Sequence, residues 1–229
     1  MSGRTRFRIV KIIVAVLAAV LLLPAALTLL YREVPPRFTP LMLIRGGDIQ
    51  YEWVSMKQIA PALARSVLTA EDENFCNHGG FDTKALQKAI DQYLDEDEER
   101  TLRGGSTISQ QTAKNVFLWP NRTWLRKGLE TWLTVYVEAL WPKALIMEMY
   151  LNVVEWAPGV YGAQAAARHH FRKDAAHLTA QEAALLAAVL PNPRRWNASN
   201  PGPYVRGRSE TLQGRAARVG TLASCLKLS

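Results

Sequence analysis

A short stretch in the middle of the chain combines two glycines with side chains suited to holding an anion. Residues 104–115 read GGSTISQQTAKN. The glycines permit a tight turn, because a residue without Cβ reaches positive φ at no steric cost. Ser106 or Thr107 can then cap a helix, which places the amides of Gln110 and Gln111 and the ammonium of Lys114 near one helix end.

The next segment adds a second set of charges at helical spacing. Arg122 and Arg126 lie four residues apart, and Glu130 follows after four more. In a helix these three side chains share one face. Cations that hold a polyanion beside a carboxylate are suited to chemistry in which a phosphate leaves.

This stretch closely resembles the bacterial peptidoglycan glycosyltransferases of family 51, in which GGSTITQQ is followed by KN and then by RKxxE. Ser109 stands here in place of the threonine. Residues 71–81, EDENFCNHGGF, resemble the family motif EDxxFxxHxGF. Residues 143–171 and 179–201 resemble two further motifs, with Pro158 and His170 as departures in the first of these. The matches cover about residues 61–201.

The resemblance implies an all-α, lysozyme-like helical glycosyltransferase domain, and no strand pattern of useful length appears in the sequence. It also implies a polymerase that elongates β-1,4-linked glycan strands from lipid II, with inversion and release of undecaprenyl diphosphate. The implied base is Glu71, and Glu130 is the second essential glutamate, to which we assign electrostatic support. The implied substrate-binding residues are Ser106, Gln111, Lys114, Arg122, Arg126 and Asn152.

The residue types suit this reaction independently of the resemblance. A sugar hydroxyl is a poor nucleophile, so a positioned carboxylate accelerates its attack by roughly 10²–10⁴-fold. A diphosphate leaves readily once cations neutralise its developing charge. Asp72 beside Glu71 is expected to raise the pKa of that base. We predict no metal site built by the protein, although a divalent cation, Mg or Mn, could bind at the substrate diphosphate.

The N-terminal segment predicts a membrane anchor. Residues 12–30 carry no charge, and a helix of this length spans about 28 Å, close to the ~30 Å apolar thickness of a bilayer. Four basic residues precede it, which predicts a cytoplasmic N-terminus and a catalytic domain on the outer side of the bacterial inner membrane. The alternative is a cleaved signal peptide, but the apolar run is longer than usual for one.

The remaining organisation is read from composition. We predict a basic segment 1–11, a transmembrane helix 12–31, a membrane-proximal linker 32–54, the glycosyltransferase domain 55–201 and a basic segment 202–229. The apolar residues of the linker either pack on the domain or lie at the membrane surface. The last segment is expected to form a solvated helix, with contact to anionic lipid as the alternative. Local signals predict a helix that begins at Pro61, a long amphipathic helix over residues 124–140, and a helix that begins with a capping box at Thr179. Residues 83–94 are predicted to form a helix, followed by a solvated acidic run at 95–99.

Charge and cysteine content exclude some other classes. The net charge of +8 comes from the two ends, and residues 12–190 carry a net −2, so a continuous nucleic-acid-binding face is not indicated. Cys76 and Cys225 are expected to be unpaired thiols, with a disulfide between them as the alternative. Ser224 and Lys227 fit S-x-x-K, but no further transpeptidase motif follows, so a monofunctional enzyme is expected.

Two rival functions remain from the sequence. One is a lysozyme-like lytic enzyme, which cuts the same glycan with one or two carboxylates and has no need of Lys114, Arg122 and Arg126. The other is an inactive cell-wall scaffold, against which both glutamates argue. The expected partners are lipid II, the growing glycan strand, membrane lipid and other cell-wall synthesis proteins.

Overall fold

The N-terminal helix is apolar along most of its length. The structure, a computed structural model, describes residues 3–84, 87, 105–121, 123–226 and 228. Helix α1 spans Gly3–Glu33 and contains Pro24. Within the described residues, its portion Phe7–Glu33 is the one helix long and apolar enough to cross a membrane. This agrees with the predicted anchor by length and composition.

Eight more helices are described after α1, and most begin with a recognisable signal. Proline occupies the first turn of α2, α3 and α9, where its missing N–H costs no hydrogen bond. Capping boxes begin α4 and α8, at Thr107 with Gln110 and at Thr179 with Glu182. The bounds are α2 Pro40–Arg45, α3 Pro61–Glu71, α4 Ile108–Phe117, α5 Trp124–Leu140, α6 Lys143–Val153, α7 Ala163–Phe171, α8 Ala180–Val189 and α9 Pro203–Ala216.

Short 3₁₀ turns and one small sheet complete the described fold. The 3₁₀ turns are Met56–Gln58, Phe75–Asn77, Ala175–His177 and Gly220–Leu226. The strands are β1 Gln50–Tyr51, β2 Glu155–Ala157 and β3 Val160–Tyr161, in the order β1–β3–β2. Strand β3 pairs parallel to β1 and antiparallel to β2. The sequence did not predict this sheet because each strand is only two or three residues long.

The helical predictions hold where the structure describes the chain. Helix α3 begins at Pro61 and ends at Glu71, and α5 has the predicted amphipathic span. The predicted helix 83–94 lies outside the described residues except at positions 83, 84 and 87, and the acidic run 95–99 lies wholly outside them. The all-α prediction is confirmed, since helices dominate the described chain.

The core is centred on α8, which is apolar on nearly all sides. Its buried alanines at 183, 184, 187 and 188 let α3 and α9 approach closely. Helix α4 packs on α5 and α6 in the other half of the molecule. Helix α9 buries Val205 and Leu212, so the predicted solvated helix is instead packed, and the folded unit extends beyond residue 201.

Helix α1 is attached to the domain at its C-terminal end. The Trp141 indole Nε1 donates to the Thr28 carbonyl oxygen at 2.7 Å, and Arg32 Nη1 donates to the Leu140 carbonyl oxygen at 3.2 Å. The rings of Tyr31 and Phe117 lie 5.8 Å apart. Helix α1 therefore enters the domain beside the ends of α4 and α5.

The segment 32–54, predicted as a membrane-proximal linker, has some apolar residues packed on the domain and others exposed. Leu41 and Met42 of α2 are buried in the core, whereas Phe38, Leu43 and Ile44 are each more than half exposed. One side of α2 thus packs on the domain, and the other presents apolar side chains outward.

Cys76 and Cys225 form a disulfide, which corrects the expectation of unpaired thiols. Their Cα atoms are 5.6 Å apart, although 149 residues separate them in the chain. Cys76 lies in the 3₁₀ turn that follows Glu71, and Cys225 lies in the 3₁₀ turn after α9. The bond ties the end of the described chain to the segment that carries the predicted base.

Candidate active site

Glu71 is the last residue of α3, and its carboxylate faces α4. Its Oε2 accepts a hydrogen bond from Gln111 Nε2 at 2.8 Å. Burial is the main cause that raises the pKa of Glu71; the Gln111 hydrogen bond and the charges of Arg208 and Lys114 lower it. Asp72 raises it as well, but as the smallest of these causes. The expected effect of Asp72 is therefore present, and burial outweighs it.

Asp72 is occupied by structural contacts. Its Oδ2 accepts the backbone N–H of Ile108 at 3.0 Å, and its Oδ1 lies 2.9 Å from His78 Nε2. His78 Nδ1 accepts the Gly80 N–H at 3.1 Å, which assigns the ring proton to Nε2. Asp72 thereby caps the start of α4 and fixes it relative to the end of α3.

Gln111 joins the two helices at the site. Besides its bond to Glu71, its Oε1 accepts from the Tyr150 hydroxyl at 3.4 Å. Tyr150 is fully buried, and burial raises its pKa well above the ordinary value, so it stays a protonated donor. The amide of Gln111 is held from α6 on one side and oriented toward Glu71 on the other.

Glu130 lies in a buried ion-pair cluster on α5. Its Oε2 is 2.7 Å from Arg126 Nη1 and its Oε1 is 2.5 Å from Lys127 Nζ. Lys127 Nζ also donates to Ser106 Oγ at 3.2 Å. Arg126 and Glu130 are both more than nine-tenths buried, so the pair is not a solvated surface pair. Ser106, before α4, and Glu130, on α5, are thereby brought together.

Lys114 lies one turn after Gln111 on α4 and interacts with both glutamates. Burial lowers the pKa of its ammonium, the charge of Glu130 raises it, and that of Arg126 lowers it. The charge of Glu71 also raises it. Both glutamates therefore lie near enough to Lys114 to favour its charged form, and they do not lie on opposite sides of the molecule.

Two clefts meet at these residues. The larger has a volume of about 530 Å³ and is lined in part by Gln111, Lys114 and Arg126. The smaller, of about 400 Å³, is lined in part by Glu71 and Ser106. Because Gln111 bonds Glu71 across the boundary, a base in the smaller cleft adjoins a cationic pocket in the larger one. This arrangement can deprotonate one group while it neutralises an anion that leaves another.

Not every predicted substrate residue is placed at these clefts. Arg122 lies outside the described residues. Asn152 is fully buried: its Oδ1 accepts the Val54 N–H at 3.0 Å, and its Nδ2 donates to the carbonyls of Val54 and Glu148. The Asn152 side chain is thus engaged inside the protein and lines neither of these clefts, so its role in substrate binding stays a prediction.

Several residues at the site were not among the predicted site residues. Lys127 is the lysine of the RKxxE motif, and its spacing of three residues to Glu130 on a helix could have indicated their ion pair. Arg208 on α9 contributes its charge to Glu71, and Arg45 and Arg194 line the larger cleft. No local pattern marks these three arginines, because each comes from a distant element.

One group of side chains has the composition of a metal site. Asp72, His78 and Asp82 offer ligand atoms within 4.8 Å of one another. The Asp72 and His78 atoms already bond each other, and Asn74 Nδ2 donates to Asp82 Oδ2 at 2.8 Å. A metal ion would have to replace these bonds, and the predicted cation at a substrate diphosphate remains a prediction.

Comparison with known proteins places this geometry in a family. The model of the transglycosylase family matches residues 40–219. A biosynthetic peptidoglycan transglycosylase of Rhodospirillum centenum is 50% identical over 96% of this chain and 96% of its own. Proteins of the same description from Caulobacter vibrioides and Pseudomonas aeruginosa are 49% and 45% identical, over 89% and 93% of this chain and 90% and 93% of their own. The chain belongs to the transglycosylase family.

Proposed function

We propose that this protein is a membrane-anchored peptidoglycan glycosyltransferase that polymerises lipid II into β-1,4-linked glycan strands. The relatives described as biosynthetic peptidoglycan transglycosylases support the reaction class. The single observation that carries the proposal is the contact of Glu71 with Gln111 at the boundary between an acidic cleft and a cationic one.

Glu71 acts as the general base on the acceptor. Its carboxylate removes the proton from the 4-hydroxyl of the acceptor sugar while the oxygen attacks the anomeric carbon of the donor. The raised pKa of Glu71 makes it a stronger base than an ordinary glutamate, which favours proton removal near neutral pH. A single displacement on an α-linked donor forms a β-linked product, so the configuration inverts.

The cationic cleft acts on the leaving group. The bond from the donor sugar to undecaprenyl diphosphate breaks, and the electron pair stays on the diphosphate. Lys114 and Arg126 stabilise this charge, because preorganised cations in a partly dry site interact strongly with a developing anion. Glu130 holds Arg126 and Lys127 in place by two ion pairs, and Ser106 and Arg122 complete the set. A Mg or Mn ion bound to the substrate diphosphate would add to this neutralisation.

Location and topology follow from the anchor and the disulfide. Helix α1 holds the domain at the bacterial inner membrane, with the basic N-terminus inside and the catalytic domain outside. The Cys76–Cys225 bond supports this orientation, because disulfides persist in oxidising compartments and are rare in the cytosol. The growing strand, membrane lipid and other cell-wall synthesis proteins are the partners of such an enzyme.

The test asks whether the protein polymerises lipid II or cleaves preformed glycan strands. The purified protein in detergent is expected to convert lipid II into long glycan strands, separated by gel electrophoresis, and to leave preformed strands intact. Shortening of preformed strands without polymerisation of lipid II would establish the lytic rival. No change in either substrate would favour the inactive scaffold.

A further inference from the structure

Two arginines in the larger cleft have no part in the mechanism above. Arg45 is the last residue of α2, and Arg194 lies in the turns that follow α8. Both line the same cleft as Lys114 and Arg126. They come from opposite ends of the domain sequence and meet only in the folded protein.

Arg45 is held in a fixed position at the cleft. Its guanidinium pairs with Glu155 of β2, a side chain that is almost fully buried. The Tyr161 hydroxyl on β3 is also buried, and it has no hydrogen-bond partner among the described residues. Burial raises the pKa of Tyr161, and the charges of Arg45 and Arg194 lower it. The phenol is therefore an unused donor near the two arginines.

The cleft carries more positive than negative charge. Among the described residues that line it, four are cationic and Glu155 is the one carboxylate. Burial lowers the pKa of Arg45, and the nearby charge of Arg194 lowers it further. The Arg126 Nε is buried without a hydrogen-bond partner in the described chain. An anion in this cleft would relieve the repulsion and satisfy buried donors.

The position of Arg45 indicates what kind of anion would reach it. Leu43 and Ile44, which precede it on α2, are each about 60% exposed, and the apolar helix α1 ends at Glu33, twelve residues earlier. Helix α2 thus exposes apolar side chains outward and directs an arginine into the cleft. A ligand with an apolar chain and an anionic head matches both features.

We propose that Arg45 and Arg194 bind the phosphate groups of a prenyl diphosphate at the α2 end of the cleft, next to Lys114 and Arg126. This rests on the proposed function, since the donor and the leaving group there are prenyl diphosphates. The two arginines extend cationic contact along the head group toward its lipid chain. They contribute to donor affinity and to retention of the lipid product, whereas Glu71 acts on the acceptor.

The test measures binding without catalysis. The full chain in detergent is titrated calorimetrically with farnesyl diphosphate, farnesol, inorganic pyrophosphate and short-chain phosphatidylglycerol. Arg45→Gln and Arg194→Gln are compared with matched controls that remove the same charge nearby. Arg37→Gln lies in the same linker as Arg45, and Arg195→Gln is the neighbour of Arg194; both are exposed, and neither lines the cleft.

The expected result is weaker binding of farnesyl diphosphate by roughly tenfold or more for Arg45→Gln and Arg194→Gln, the size of one lost charge-assisted hydrogen bond. The two controls should stay within about twofold, and farnesol should bind far more weakly than the diphosphate. Circular dichroism confirms that the variants fold. Equal affinity in the cleft variants and the controls would overturn the proposal, as would no binding of farnesyl diphosphate by the wild-type chain.

The choice of ligands separates this proposal from others. Tighter binding of phosphatidylglycerol than of farnesyl diphosphate would overturn the assignment to a diphosphate and indicate a lipid head-group site. Lipid II polymerisation by the wild-type chain is measured in parallel. If the wild-type chain polymerises lipid II but the cleft variants bind farnesyl diphosphate as tightly as wild type, only this inference is refuted. If the wild-type chain binds farnesyl diphosphate through the two arginines but does not polymerise lipid II, only the proposed function is refuted.

Discussion

Glu71 and Gln111 show how single residues set the chemistry of the site. Glu71 is the end of one helix and Gln111 lies in the first turn of another, 40 residues later. Their contact depends on Asp72, which fixes the start of α4. The resemblance identified Glu71 and Gln111 as site residues, but it did not indicate that they touch. Their hydrogen bond is a product of tertiary packing.

The first prediction concerns pH. The bond from Gln111 Nε2 lowers the pKa of Glu71, which burial raises, so Gln111→Ala is expected to raise that pKa further. A base works only when deprotonated, and the acid limb of kcat/KM should therefore move to higher pH. Gln213→Ala makes the same chemical change on the exposed face of α9 and should leave the profile unchanged. An acid limb at the wild-type pH, or below it, in Gln111→Ala would contradict this account.

Other site residues differ in how far the sequence could identify them. Arg126 and Glu130 share a helix face, so the i,i+4 spacing predicted their pairing, although their burial depends on the elements around them. Asn152 matched a motif but has a structural role, because its amide ties α6 to Val54. Arg45 and Arg208 have no local signature. Their positions are determined by how α2 and α9 pack.

At the scale of elements, two glycines bring the small sheet close to neighbouring backbone. Gly159 lies in the turn between β2 and β3, and Gly162 follows β3 at the start of α7. Gly162 has φ +85°, and a Cβ there would lie 2.7 Å from the Asn152 carbonyl oxygen. Gly159 has φ +77°, and a Cβ at that position would meet the Asp48 carbonyl oxygen at 2.6 Å. Pro158, a departure from the family motif, precedes Gly159 and does not prevent the turn between β2 and β3.

The second prediction tests the close approach of backbone at Gly162. Gly162→Ala is expected to lower the free energy of unfolding by at least about 2 kcal/mol, because it combines backbone strain with a clash against backbone. Gly207→Ala, on the open face of α9, should instead raise it by roughly 0.5–1 kcal/mol. Chemical denaturation followed by circular dichroism measures both. A Gly162→Ala protein as stable as wild type would show that the backbone at Gly162 is not constrained.

Helix boundaries were predictable where the signals are local. Pro61, the capping box at Thr179 and the amphipathic spacing of α5 each predicted an element that the structure contains. The prediction of a solvated helix was wrong for α9, because most of its residues are polar and only a narrow face is buried, at Val205, Ser209 and Leu212. The contact of that face with α3 and α8 cannot be read from the helix alone.

At the scale of the whole molecule, the C-terminal part is attached to the segment that carries Glu71. Helix α9 packs on α3, Arg215 pairs with Glu73 at 2.5 Å, and Cys225 bonds Cys76. These three contacts thus fix the C-terminal part to α3 and to the residues that follow Glu71. Two cysteines 149 residues apart carry no pairing signal in sequence, which explains why the disulfide was not expected.

The third prediction concerns this disulfide. Cross-linking residues so far apart restricts the unfolded chain, so Cys76→Ser/Cys225→Ser should lose about 2–5 kcal/mol of unfolding free energy. Dithiothreitol should lower the Tm of the wild-type chain in the same direction and leave that of the double variant unchanged. A wild-type Tm unaffected by complete reduction, verified by thiol titration, would refute a stabilising role.

The most direct measurement of the central claim is lipid II polymerisation by Glu71→Gln. We expect the rate to fall by roughly 10²–10⁴-fold. Glu210→Gln, which removes an exposed carboxylate of α9 that lines neither cleft, should stay within a few-fold of wild type. Burial raises the pKa of Glu71, so the stability that its protonated form contributes is lost as pH rises through that pKa. The free energy of unfolding of Glu71→Gln should therefore be no lower than that of wild type at neutral pH. Polymerisation by Glu71→Gln at a near wild-type rate would contradict the assignment of Glu71 as the base.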